Sequence, residues 1–495
     1  MSSNERYYNI SVSRHTDPQR EEVGAFMNNH TSFKSGTIFK RTLAMCVLLL
    51  LVLSFVGCES NQVERRDPNG EGTETLPVEE VAPGTVDSLT SSVLISEGIT
   101  EGERTAREDE GRKPYGLPVA TETAANSALT GFAVDLFKEC VAYEKNKNTL
   151  ISPLSVFAAL SMVGCGATDD TLVEMEGVLG MKVSEFCEYS EEFTKSLAGT
   201  PEASGKLDVA NSVWYNDDPS FKINREFLED TTEYFNAEVY AAPFDDSTVG
   251  DVNSWVKENT DGMIPSIIDE LSPEKVLLLI NALAFDAEWD KKYFDFNIKD
   301  EVFTTADREE KTVPFMHGTE RAYLEDDKAK GFIKYYKGLK YGFAALLPDE
   351  GIDVDDYLAG LNGGKLRGIL ADPGDYIVMA SMPKIKTEYS VDMKDILSSM
   401  GMVRAFDSEK AQLNGIGTSE KGNISIGAVI HKTFIEVNEE GTRAGAATVL
   451  DLVEGGGAFN KSLIKNVDLN RPYIYMLVDL ETNVPIFIGV IRDPS

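Results

Sequence analysis

Few residues in this chain of 495 have the types and spacing that chemistry needs. Beyond the N-terminal region the histidines are His317 and His431, and neither sits in a ligand or triad motif. Gly417-Thr418-Ser419-Glu420-Lys421 lacks the second glycine of a nucleophile elbow, and no H-E-x-x-H occurs. Gly363-Gly364-Lys365-Leu366 has neither the spacing nor the hydroxyl of a phosphate loop. A lone histidine in apolar surroundings reads as a hydrogen-bonded structural residue. The chain is therefore expected not to be an enzyme and to use no metal or cofactor.

A different kind of segment stands out. Glu439-Glu440-Gly441-Thr442-Arg443-Ala444-Gly445-Ala446-Ala447 begins with two acids and a glycine and continues in small residues. The run passes through Thr448, Leu450 and Leu452 to the triplet Gly455-Gly456-Gly457. It is too small-sided for a core strand and too regular for a linker. It reads as a segment that is a loop in one state and a strand in another.

The elements that position this segment follow from apolar periodicity. Leu129, Phe132, Ala133, Leu136, Phe137, Cys140 and Val141 fall on one helical face. Ser152-Pro153 supplies an N-cap and a first-turn proline for a helix that buries Val156, Ala159, Leu160 and Val163. Residues 276–285 are almost wholly apolar, as in a central strand covered on both faces. Residues 376–385 read as a strand, and 473–480 with 484–491 as a closing hairpin. Helices dominate early and strands late, which predicts one α+β domain over about 124–493.

Composition sets further bounds. A net charge of −35 disfavours nucleic acid and anionic membrane surfaces as partners. Lys40-Arg41 precede the apolar run 42–56, which is short for a span and suits a signal peptide, with Met27 as the expected start. Phe55-Val56-Gly57-Cys58 resembles a bacterial lipobox, with Phe55 where Leu is usual. Cys58 would then carry the lipid, the chain's sole membrane attachment, on a bacterial surface or envelope. An uncleaved anchor helix is the alternative, and without the lipid the chain would be extracellular. Residues 59–123 carry a net charge of about −9 and read as a disordered acidic tether. Cys140 is expected to be a buried thiol, and a Cys165–Cys187 disulfide is left open.

The body resembles the serpin family over about 124–493. Asn148-Thr149-Leu150-Ile151-Ser152-Pro153-Leu154-Ser155 is similar to the family's N-x-x-x-S-P-x-S. Asn253-x-Trp255-Val256 with Thr260-x-Gly262 follows, and then Asn281-Ala282-Leu283-Ala284-Phe285 with Trp289. Leu346-Leu347-Pro348-Asp349, Met382-Pro383-Lys384, His431-Lys432, residues 436–442 and Asn470-Arg471-Pro472-Tyr473 complete the set in family order.

The resemblance implies three sheets, about nine helices and an exposed reactive loop. It implies a monomer that acts as a suicide substrate of a serine, or also a cysteine, protease. The cut loop would insert into the main sheet and trap the acyl-enzyme. Residues 439–448 would be the hinge, Trp289 would mark the breach where the loop enters, and Ser152, Ser155, Asn281 and His431 would bond one another where strands part. The alternative is a non-inhibitory serpin-fold binding protein.

With Thr442 facing the core, as the resemblance implies, Ala444, Ala446, Thr448, Leu450 and Leu452 face in as well on insertion. Arg443, Gly445, Ala447, Val449, Asp451 and Val453 face out, so both charges stay off the core. By the loop length that the resemblance implies, counting forward from Glu439 would place the scissile bond at Gly455-Gly456. Counting back from Asn470 gives Lys461-Ser462. The region Val453–Gly455 is favoured: Gly455 suits an elastase- or subtilisin-like protease, Glu454 a glutamyl-specific one and Lys461 a trypsin-like one.

Overall fold

The computed structural model describes residues 120–198, 205–442 and 463–494. The expected leader and lipobox lie outside these residues, as does the expected tether up to residue 119; its last residues are instead held to the body, with the Thr121 amide donating to the Glu481 carbonyl at 2.7 Å and Glu122 paired with Arg367 at 2.8 Å. Arg443 to Ser462 also lie outside the described residues, and with them most of the expected hinge and every scissile-bond candidate.

The first long helix, Ala124–Tyr143, starts where Thr123 accepts a hydrogen bond from the Asn126 amide at 3.0 Å. Its stripe Leu129, Phe132, Leu136, Phe137 and Cys140 is fully buried. The Pro153–Gly164 helix is capped by Ser152, whose hydroxyl accepts from the Ser155 amide at 3.3 Å. Val156, Leu160 and Val163 are buried as expected, whereas Ala159 is only half-buried because it faces a cavity. Nine α-helices and three sheets are present among the described residues.

A nine-stranded sheet holds the closing hairpin, Tyr473–Asp479 against Val484–Ile491, next to the short edge strand Thr149–Ile151. At its far edge Ile464–Asp468 pairs in parallel with Gly374–Pro383. The main sheet has six strands, in the order Ile385–Asp392, Ile430–Val437, Gly441–Thr442, Leu277–Glu288, Lys206–Asn216 and Glu238–Ala242. A short pair, Phe221–Ile223 with Gly417–Ser419, completes the set.

The expected central strand differs from its reading in one respect. Leu277–Glu288 is laddered along its length to Lys206–Asn216. On its other edge it meets only Gly441–Thr442, at Glu288 and Ala287. Its two faces are covered, but its lower edge has no strand neighbour among the described residues. Residues 277–279 are accordingly only half-buried.

Candidate functional site

The site is built where Ile430–Val437 turns back on itself. Asn438 makes the turn: its Oδ1 accepts from the Glu440 amide at 2.9 Å and the Gly441 amide at 3.3 Å, and its own amide donates to the Gly441 carbonyl at 3.0 Å. Trp289 Nε1 donates to the Asn438 carbonyl at 2.8 Å. The Trp289 amide reaches the Glu440 carbonyl and the Tyr293 amide the Glu439 carbonyl, each at 3.0 Å. Gly441 has no space for a side chain, since a Cβ there would lie 2.1 Å from the Ala287 carbonyl oxygen.

The two acids stay outside and are paired. Glu439 meets Lys384 at 2.6 Å, and Glu440 meets Lys292 at 2.7 Å. Partial burial opposes ionisation of Glu439, but the Lys384 ammonium outweighs it and holds the carboxyl below its ordinary value. Thr442 then turns inward and is 3% exposed. Its hydroxyl lies 2.6 Å from that of Tyr336, whose ring stacks on Trp289 at 4.4 Å between centroids. Trp289 thus stands at the end of the main sheet where the chain begins its new strand.

Beneath Trp289 lies a buried ion pair that motif reading missed. Lys334 Nζ donates to Glu320 Oε1 at 2.9 Å and to the Lys291 carbonyl at 2.8 Å. It also sits 4.1 Å from the centroid of the Tyr293 ring. Burial pushes the Glu320 carboxyl up against the pull of Lys334. The signal available in sequence was a lysine inside the apolar strand Ala329–Tyr335, but its partner lies on another strand.

Below Thr442 the two long strands stand apart. A cavity of about 410 Å³ fills the gap, lined by Leu277 to Asn281 on one side, Ile430 to Lys432 on the other and the Pro153–Gly164 helix as floor. Here the expected polar cluster divides into two. His431 Nε2 accepts from the Ser152 amide at 3.0 Å, and Ser152 caps Ser155. Asn281 instead donates to Asn211 Oδ1 at 2.7 Å, and Asn211 donates to the Phe235 carbonyl at 2.7 Å. The cavity lies between Asn281 and His431, and among the described residues the four do not form one bonded cluster. Asn281 Oδ1 is buried without a hydrogen-bond partner among the described residues. Burial holds the His431 imidazole down to about 4, so it is neutral at pH 7.

A turn that starts a central strand beside an open gap is a specific geometry, and sequence comparison agrees with it. The family model described as Serpin (serine protease inhibitor) matches residues 127–494. The chain belongs to the serpin family. A serpin-like protein of Thermococcus kodakarensis is 30% identical over 385 residues, covering 77% of this chain and 88% of that one. The leukocyte elastase inhibitor of Bos taurus is 30% identical over 395 residues, covering 74% and 99%. Among solved structures, the thermophilic serpin Tengpin in its native state superposes with a TM-score of 0.70 at 39% identity, covering 76% of this chain and 96% of that one. The serpin fold, with its three sheets and nine helices, is the one described above.

Proposed function

We propose that this serpin is a suicide-substrate inhibitor of serine-type endopeptidases. A target protease cuts the loop beyond Thr442, the cut loop runs into the main sheet, and the acyl-enzyme is carried with it and trapped. The observation that supports this most is the two-residue strand Gly441–Thr442, already paired on both sides at the head of an open gap.

Its register can be extended. Thr442 faces Ala287 on one side and Val437 on the other. Continuing both antiparallel ladders residue by residue brings Thr448 between Asn281 and His431. Leu450 and Leu452 then come to lie beside Leu279 and Leu277, which are half-buried in the described form. Ala444 and Ala446 are the first inward residues to pass, and they are small. Burying two leucine side chains contributes roughly 3–6 kcal/mol to the inserted form.

On that register Thr448 would arrive beside Asn281 Oδ1, which has no donor among the described residues. Thr448→Val keeps the shape and removes the hydroxyl. The cleaved, inserted form of that variant is expected to lose about 1 kcal/mol of stability, while the uncleaved form is unchanged. Denaturant melts of both forms check this; an equal loss in each would show that Thr448 does not reach the gap.

The function itself is tested by mixing the protein with a panel of serine and cysteine proteases. A denaturant-resistant band at the summed mass is expected with at least one serine protease. The mass of the released C-terminal peptide then fixes the bond: a peptide starting at Gly456 places the cut after Gly455, and one starting at Ser462 places it after Lys461. Complete cleavage with no adduct and no gain in heat stability refutes inhibition and leaves a non-inhibitory scaffold.

A further inference from the structure

Cys165 closes the C-terminal end of the Pro153–Gly164 helix, and Cys187 lies on the Val183–Ala198 helix. The residues are 22 apart in sequence, yet their sulfurs are 3.5 Å apart. Both are free thiols, Cys187 buried and Cys165 half-buried. The helices are pressed together at this point: a Cβ on Gly164 would lie 2.7 Å from a Val183 methyl. Bonded sulfurs sit about 2 Å apart, so the pair has about 1.5 Å left to close. Cys140 takes no part, since its sulfur is buried against Met393.

We propose that Cys165 and Cys187 form a redox-modification site, a dithiol that a disulfide-class oxidant converts to a disulfide that anchors the floor of the open main sheet. In that step two S–H bonds break and one S–S bond forms. The two electrons and two protons pass to the oxidant's disulfide, which becomes two thiols. The Cys187 sulfur, burial and the Asp230 carboxylate hold the Cys165 thiol well above its ordinary value. Exchange on the folded chain is therefore slow, and the bond is set during folding while both thiols are open to the oxidant. The expected leader at 42–56 would take the chain out of the reducing cytoplasm into an oxidising compartment, where such a bond persists.

The bond has a mechanical consequence because of what the Pro153–Gly164 helix carries. Its cap residue Ser152 donates to His431, and Ser155, Val156, Leu160 and Val163 line the gap. Fastening the far end of this helix to its neighbour restrains the surface over which the sheet must widen. The effect on widening rests on the inhibitory reading above; the bond itself does not.

The test uses the full chain, refolded with oxidised glutathione or with a reductant, then alkylated in denaturant and digested. The oxidised sample should yield the Cys165 and Cys187 peptides joined, two hydrogens lighter, with Cys140 alkylated; the reduced sample should yield all three alkylated. Heat-induced polymerisation should begin several degrees higher in the oxidised protein than in the reduced one. A Cys165→Ser, Cys187→Ser variant should match the reduced protein under both conditions. Alkylation of Cys165 and Cys187 after oxidative refolding overturns the site, whatever the protease panel shows. A joined pair with unchanged polymerisation overturns its hold on the sheet.

Discussion

Thr442→Arg is expected to turn the inhibitor into a substrate. Thr442 is buried, bonded to Tyr336 and paired on both edges. A guanidinium at that position would be forced into the core, where the hydroxyl now meets that of Tyr336. Burying an unpaired charge costs several kcal/mol, so the two-residue strand should leave the sheet. The proposed cut lies beyond that strand, so cleavage should proceed. Insertion then starts against an added barrier while hydrolysis of the acyl-enzyme does not, and each ~1.4 kcal/mol of barrier is tenfold in rate. The fraction of protease trapped should fall by at least about 100-fold, read as adduct against cleaved product on a denaturing gel. Arg443→Glu, on the outward face by alternation, serves as the control and should keep most of the adduct. Full trapping by Thr442→Arg would mean that insertion does not begin at this residue.

The second large effect is on pH. His431 is buried and neutral, and its Nε2 is the acceptor for the Ser152 amide. Protonation would place N–H against N–H and leave a charge without water. The folded pKa, about 4, lies below the ordinary value of 6.5, so the unfolded chain binds the proton first as pH falls. The contribution is therefore complete above about pH 6.5, declines through the window down to about 4 and is lost below it. A shift of this size is worth about 3 kcal/mol. In urea, the native protein should unfold or polymerise progressively more readily from pH 6.5 to 4. His431→Gln, whose carbonyl can still accept from Ser152, should show a flatter profile across that window. Parallel profiles for the two proteins would remove His431 from the account.

Much of this site was legible in sequence because its determinants are local. The helix stripes follow from spacing alone, and the alternation through Thr442 separates charges from leucines without reference to any other element. The gap was not legible. Apolarity along 276–285 reports that both faces of the strand are covered, and it is silent on whether an edge is paired. The same limit explains the polar cluster. Asn281 is visibly a polar residue in an apolar run, but its partner Asn211 lies 70 residues away on the neighbouring strand. Lys334 and Glu320 meet across the Glu310–Glu325 and Ala329–Tyr335 strands, and only the folded register brings them under Trp289.

The Gly441–Thr442 strand also fixes how the loop moves. Ordered chain segments are slow to nucleate and fast to propagate, because the first contacts fix several torsions for little return. Here the nucleus is already in place, bonded to both neighbours and held in one register by a glycine that fits against Ala287 and a threonine seated on Tyr336. On the proposed mechanism, each residue after the cut adds to an existing ladder, and insertion would be a zipper with one starting point and one reading frame. Changes near its head should govern speed, and changes near its tail should govern only how far it closes.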